Sequence, residues 1–311
     1  MKVLPLTPAD HRPWAGLLSL TTGQPYTTLR QQLASQSPQN TAVSWGAWDG
    51  ASLVALFSAR PMTINGVQHQ ADMRIALAQT PVIHPKYDQE ALYQTVTQPV
   101  VESLRLQGTQ ALFQVERRPL WASFRQAPRG YHLLGQLRPY WGWLSQRPDA
   151  PPLHVLHHCP DQLPVLRPHQ QITFMVDIDE VRKRYCAALD ETYHFAVCQQ
   201  NTAVTGLVVY KLSRHFGLPM AQLVAVYGAE LEKLIPRWLT TMYDQGQRLI
   251  YTMTTPNAAV RPALRQHTQR LGERLSAERY LLYAQPLQRY VPANLLDLKQ
   301  WNWVASDIAL P

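Results

Sequence analysis

The stretch VIHPKYDQEALYQTVTQPVVESLRLQGTQALFQV, residues 82–115, changes its periodicity twice. Val82 and Ile83 end an apolar run that Pro85 stops. Behind that proline, Leu92, Val96, Val100 and Leu104 recur every four residues, the stripe of a half-buried helix, until Gly108 ends it. Pro99 lies inside the stripe and predicts a kink. ALFQV (111–115) is strand-like again. A strand running directly into a helix start is an arrangement in which unpaired backbone amides and the positive end of the helix dipole can grip a phosphate. Here, however, Asp88, Gln89 and Glu90 stand at the helix start.

Outward from this block, AVSWGAWDG (42–50) and SLVALFSARPMTING (52–66) predict a hairpin turning at Asp49-Gly50, and ADMRIALAQTPVI (71–83) a third strand. Downstream, LWASFRQ reads as a short helix and YHLLGQLRPYWGWL as a closing strand pair. Residues 145–170 are rich in proline and lack periodicity, which marks a boundary. His154, His157, His158 and Cys159 on it have the donor types of a metal site, but a proline-rich connector gives them no rigid frame, and no metal is expected. Beyond it the order returns: YHFAVCQ and AVTGLVVYKL, MAQLVAVYGA, the helix ELEKLIPRWLTTMYDQG with Pro236 inside it, RLIYTMTT, a helix NAAVRPALRQHTQRLGE capped by Asn257, and YLLYAQPL. An internal duplication explains this most simply. The expected organisation is a first domain over 1–146, a linker over 147–170 and a second domain over 171–311.

Composition bounds the function. At 311 residues, with 46% hydrophobic and 16% charged residues, the chain can bury a core and is not disordered. It has no apolar run long enough for a membrane span, so a cytoplasmic protein without membrane insertion is expected. Cys159, Cys186 and Cys198 have no short paired spacing and are expected to be reduced. The net charge of +8 is uneven: residues 1–147 hold 13 Lys and Arg against 7 acids. Arg117, Arg118, Arg125, Arg129 and Arg138 alternate with Trp121, Phe124, Tyr131, Tyr140, Trp141 and Trp143, without an acid between Arg117 and Arg138. That surface suits a protein partner; without a nucleic-acid module, charge alone does not argue for nucleic acid. No G-x-S-x-G elbow, H-E-x-x-H helix or P-loop is present.

The order of elements and the HPKY turn resemble the GNAT acyltransferase superfamily, well over residues 40–145 and loosely over 170–290. The terminus QWNWVASDIAL is similar to that of a bacterial branch with tandem GNAT-like halves. The resemblance implies a mixed α/β chain of two GNAT-like folds in tandem. It also implies acetyl-CoA or another acyl-CoA held between parted strands, an amine-bearing small molecule or protein as acceptor, and N-acyl transfer. Carried over, Val82 and Ile83 would supply strand contacts, and Asp88, Gln89, Glu90, Ala91 and Leu92 would face the pyrophosphate. The chain departs there. Asp88 replaces the family's Arg or Gln, Gln89 its first small residue and Ala91 its Gly. A carboxylate ~4 Å from a phosphate in a partly exposed site costs on the order of 1–4 kcal/mol.

The family's usual acid, a Tyr four residues before the GF pair, falls on Gln126, with Phe124 nearby. Tyr131 and Tyr93 are substitutes, Glu116 at the end of the fifth strand is the candidate base, and Asp307 could reach the cleft from the terminus. Two functions follow: an acyl-CoA-dependent N-acyltransferase, or a catalytically silent GNAT-fold pseudoenzyme that binds a protein or other ligand. The family resemblance puts the first in the lead, while the turn chemistry favours the second, because acids in a first turn stabilise a helix that needs no ligand.

Overall fold

In the computed structural model the structure describes residues 1–35, 42–65, 72–119, 130–156, 158–164, 173–174, 177–186, 193–200, 203–228, 230–272 and 278–304. The first half contains β1 (Lys2–Pro5), α1 (His11–Thr22), α2 (Tyr26–Ser35), β2 (Val43–Asp49), β3 (Ser52–Ile64), β4 (Met73–Ala78), β5 (Val82–Ile83), α3 (Gln89–Leu106), β6 (Ala111–Pro119) and β7 (His132–Trp143). The second contains β8 (His154–Leu156), α4 (Ile178–Val181), β9 (Tyr193–Gln200), β10 (Ala203–His215), β11 (Leu218–Gly228), α5 (Leu231–Asp244), β12 (Leu249–Thr254), α6 (Val260–His267), β13 (Gln269–Leu271) and β14 (Glu278–Pro286). The fold is mixed α/β. Among the described residues no helix is long and apolar enough to cross a membrane.

Among the described residues all strands belong to one sheet, ordered β1-β2-β3-β4-β6-β14-β7-β12-β11-β10-β9-β8, with β5 also on β3 and β13 also on β7. The halves are joined by exchanged strands. β14, the last strand of the chain, lies between β6 and β7, pairing Gln114 with Tyr283 on one edge and Leu137 with Tyr280 on the other. The second part of β7 leaves β14 and pairs with β12 instead, from Arg138↔Thr254 to Trp143↔Leu249. One twelve-residue strand thus serves both halves, where the sequence reading expects a closing pair. Its turn-prone residues do not reverse it: Gly135, Pro139 and Gly142 all stay within the strand, the last two paired with Met253 and Ile250 of β12.

Each helix layer covers one face. The α3 stripe Leu92, Val96, Val100 and Leu104 is buried on Ala55, Phe57, Ala59 and Leu112, and each such side chain contributes roughly 1.5–3 kcal/mol. Pro99 is inside α3, yet the helix runs its full 18 residues. In the second half Leu234, Ile235, Trp238 and Leu239 of α5 pack with Val260 and Leu264 of α6 on Val208, Tyr210 and Leu223. The opposite faces of both halves meet in one shared core, where Phe113 and Ile75 of the first half and Val209 and Met253 of the second surround Trp301 and Trp303.

Several local expectations change. The proline-rich stretch is tied to α5: Arg147 bridges Asp244 at 2.8 Å, Thr240 Oγ1 donates to the Pro148 carbonyl, and Leu153 N donates to Thr241 Oγ1. His154–Leu156 then adds strand β8 to β9. Cys159 and Cys186 are joined in a disulfide, Cα–Cα 6.0 Å, since Cys159 and Leu163 pack against the same shared core that holds Val181 and Tyr185; 27 residues of separation hid the pairing. Cys198 is the free thiol. The last helix is only Val260–His267 and opens at Ala259; Asn257 instead donates to the Lys299 carbonyl.

Candidate functional site

The site begins where parallel strands part. β4 pairs with β6 over three residue pairs, Ala76↔Leu112, Leu77↔Phe113 and Ala78↔Gln114. The chain then bulges, and Val82 and Ile83 continue along β3 opposite Leu56 and Ala55, while β6 follows β14 to Pro119. Above Gln114 the two strands diverge into a cleft, and α3 starts behind it.

The turn between cleft and helix is held from several sides. His84 N donates to the Val54 carbonyl, Lys86 N donates to His84 Nδ1, and the Tyr87 hydroxyl donates to Asp49 Oδ2 at 2.7 Å. That acid raises the Tyr87 phenol above its ordinary pKa. Asp88 is the N-cap of α3. Its Oδ1 accepts from Glu90 N at 2.9 Å and from Ala91 N at 3.2 Å. These are first-turn amides that a helix otherwise leaves open to an anion. The side chain therefore occupies the position that the resemblance reserves for a diphosphate, and Glu90 adds a second negative charge beside it. On the α1 side, a groove of about 500 Å³ is lined by Gly16, Leu17, Leu53, His84, Lys86 and Tyr87.

In the second half β11 pairs with β12 over three residue pairs, Met220↔Leu249 to Gln222↔Tyr251, and the strands diverge there as well. This gap is filled. Thr252 Oγ1 donates across it to the Leu223 carbonyl. Thr254 pairs with Arg138 of β7 on one edge, so its bridge to Val304 lies on the edge that faces β11. The C-terminal segment continues this bond pattern: Thr255 N donates to the Trp303 carbonyl, and the Thr255 hydroxyl donates to the Trp301 carbonyl and accepts from Trp303 N. Asn302 Oδ1 accepts from Ala259 N at the start of α6. Trp301 and Trp303 are fully buried.

No family model matches the sequence, and no curated protein matches it; shape is more informative. A conserved protein from Enterococcus faecalis V583, described as a "Probable N-Acyltransferase", superposes with TM-score 0.66 at 10% identity, over 92% of this chain and 72% of that one. A GCN5-related N-acetyltransferase from Anabaena variabilis gives 0.62 at 10% identity, over 90% and 72%. A tandem GNAT protein from the clavulanic acid biosynthesis pathway gives 0.54 at 14% identity, over 93% and 99%. The chain has the tandem GNAT fold.

Within that GNAT fold the expected residues are only partly brought together. Val82 and Ile83 line the cleft, and Asp88 to Leu92 open α3 behind it. Glu116 is half-buried on β6, two residues beyond the point of divergence and opposite Leu281. Tyr131 lies in the apolar layer under α3 with Tyr283 and Leu92. Burial, and second the neighbouring Tyr93, push its phenol far above the ordinary value. Such a phenol gives up a proton poorly. Asp307, Arg125, Arg129, Trp121 and Phe124 lie outside the described residues, as does the side chain of Arg118. Sequence reasoning missed Gln114. It is buried at the apex of the cleft with its Oε1 unpartnered, and a glutamine inside an apolar strand was the available signal. The sequence also gave no hint that Tyr283, from the far end of the chain, stands next to it.

Proposed function

We propose that this is a ligand-binding GNAT-fold protein whose first cleft no longer takes the diphosphate of an acyl-CoA, a pseudoenzyme by descent. The observation that carries the reading is the Asp88 carboxylate on the Glu90 and Ala91 amides. A diphosphate arriving there must displace an intramolecular anion that is already in place and remain beside it. The helix end offers such a ligand about 0.3–1 kcal/mol, less than the repulsion from two nearby carboxylates. The ligand that remains compatible lacks a diphosphate: an amine-bearing small molecule in the cleft, or a protein on the Arg117 to Trp143 surface.

The parted strands favour a second reading, an N-acyltransferase. Strand amides at Val82 and Ile83 and cations from elsewhere would then hold acetyl-CoA or another acyl-CoA. An amine nitrogen would attack the thioester carbonyl while Glu116 or a water took its proton, the C–N bond forming as the C–S bond broke and CoA leaving as the thiol. Calorimetric titration with acetyl-CoA and with CoA separates the two. The first reading expects no heat of binding up to millimolar ligand for the natural chain, and measurable binding once Asp88→Arg is combined with Gln89→Gly. Micromolar binding and turnover by the natural chain would overturn it.

A further inference from the structure

The positive charge of the chain is concentrated in one sector of the sheet. Residues 130–148, 193–228 and 245–272 hold 8 Lys and Arg and not one Asp or Glu. The whole chain has 29 Lys and Arg against 21 acids, so everything outside these stretches is balanced at 21 against 21. The three stretches are far apart in sequence, but the topology sets them side by side. β7, β12, β11, β10 and β9 are consecutive in the sheet, and β13 lies on β7. Arg138, Arg214, Arg265 and Arg270 are exposed on this sector; Arg147 is matched by Asp244, and Arg261 is buried.

At one end of the sector, apolar side chains project into solvent. The β10–β11 hairpin turns at Phe216-Gly217, both with left-handed backbone, φ +51° and +78°. Asn or Gly adopts that conformation more readily than a bulky aromatic. Even so Phe216 is 80% exposed, with Leu218 at 45% beside it; Leu212, at 36%, lies further back on the opposite face of the hairpin, paired with Ala221. The Phe216 ring leans on His215 at 4.2 Å, which stacks on Trp141 at 4.7 Å, and Trp141 is packed with Met220 and Leu249. The tip is thus an aromatic knob on a rigid base.

We propose that this end of the sector docks on an anionic membrane surface, with Phe216 and Leu218 at the hairpin tip entering the headgroup and acyl boundary and Lys211 and Arg214 of the same hairpin facing the headgroups. The chemistry of the tip selects lipid: a leucine beside the ring gives nothing to a nucleobase, whereas apolar side chains flanked by Lys211 and Arg214 fit an anionic interface. The experiment is co-sedimentation with vesicles of equimolar phosphatidylglycerol and phosphatidylcholine, and with phosphatidylcholine alone. The full chain should pellet with the anionic vesicles, stay in solution with the neutral ones and be released by high salt. Phe216→Asn, which suits the left-handed turn, should weaken binding about tenfold or more with an unchanged melting temperature, and Lys211→Glu with Arg214→Glu should abolish it. Absence of vesicle binding, equal binding to neutral vesicles, or indifference to Phe216→Asn would overturn the proposal. So would an oligonucleotide or a protein that binds this face through Phe216 without any vesicle affinity.

Discussion

Three residue pairs join β4 to β6 before those strands part, and three join β11 to β12 before theirs do, but the two gaps are closed by different means. In the first half a single carboxylate, Asp88, covers the amides behind the cleft. In the second, Trp301 to Val304 enters the cleft itself, with backbone bonds to Thr254 and Thr255 and two buried indoles below. One closure is a polar cap on an exposed turn; the other is part of the core. An N-cap is worth about 1 kcal/mol, whereas a buried Trp truncated to Ala costs about 3–5 kcal/mol. The first cleft can therefore be opened by one substitution without unfolding the protein, and the second cannot. On the reading proposed above, ligand chemistry on this scaffold belongs to the first half, with the second acting as its support.

The largest expected effect breaks the idea of two separable halves. A fragment ending at residue 146 lacks β14, which lies between β6 and β7 and buries Leu281 and Tyr283 in the α3 layer. It should show no cooperative thermal transition by circular dichroism. Fusing residues 278–286 to it through a flexible linker should restore one, and a cooperative melt without the added strand would show that the first half is self-sufficient.

Trp303→Ala sharpens the contrast between the clefts. The indole is fully buried against Phe113 of the first half, centroids 5.9 Å apart, and against Phe174 at 5.1 Å. A loss of about 3–5 kcal/mol is expected in urea unfolding, and it should fall on both halves in one transition, since they share this core. A cost below about 1 kcal/mol would mean that the tail only rests on the second cleft.

Much of this architecture was legible because periodicity survives tertiary context. The α3 stripe, the Asp49-Gly50 hairpin and the repeated element order all appear as read, because each is a local pattern that the fold reinforces. What was hidden is non-local. Nothing within YLLYAQPL says that it pairs with ALFQV some 170 residues earlier, because the alternation of a strand defines its faces and not its neighbours. The disulfide and the tail in the second cleft escaped for the same reason. At the candidate site, Asp88, Gln89 and Glu90 were readable as a departure from a phosphate turn. That Asp88 satisfies the very amides in question required the backbone to be placed.

The smallest effect bears most directly on that turn. Asp88→Ala removes two accepted hydrogen bonds and leaves the Glu90 and Ala91 amides to water. Because the turn is exposed, water repairs most of the loss, and about 1 kcal/mol of destabilisation is expected from urea unfolding. The informative comparison adds inorganic pyrophosphate. If the carboxylate is what closes the site, the alanine variant should recover stability in proportion to pyrophosphate, with the natural chain unresponsive. Glu90 stays in place and should keep the affinity weak, so Asp88→Ala with Glu90→Gln should respond more strongly than either single change. If all the variants are equally indifferent, the obstacle is the bulk of Gln89 and Ala91 rather than charge, and closure of this cleft would have to be explained by shape, as it is in the second half.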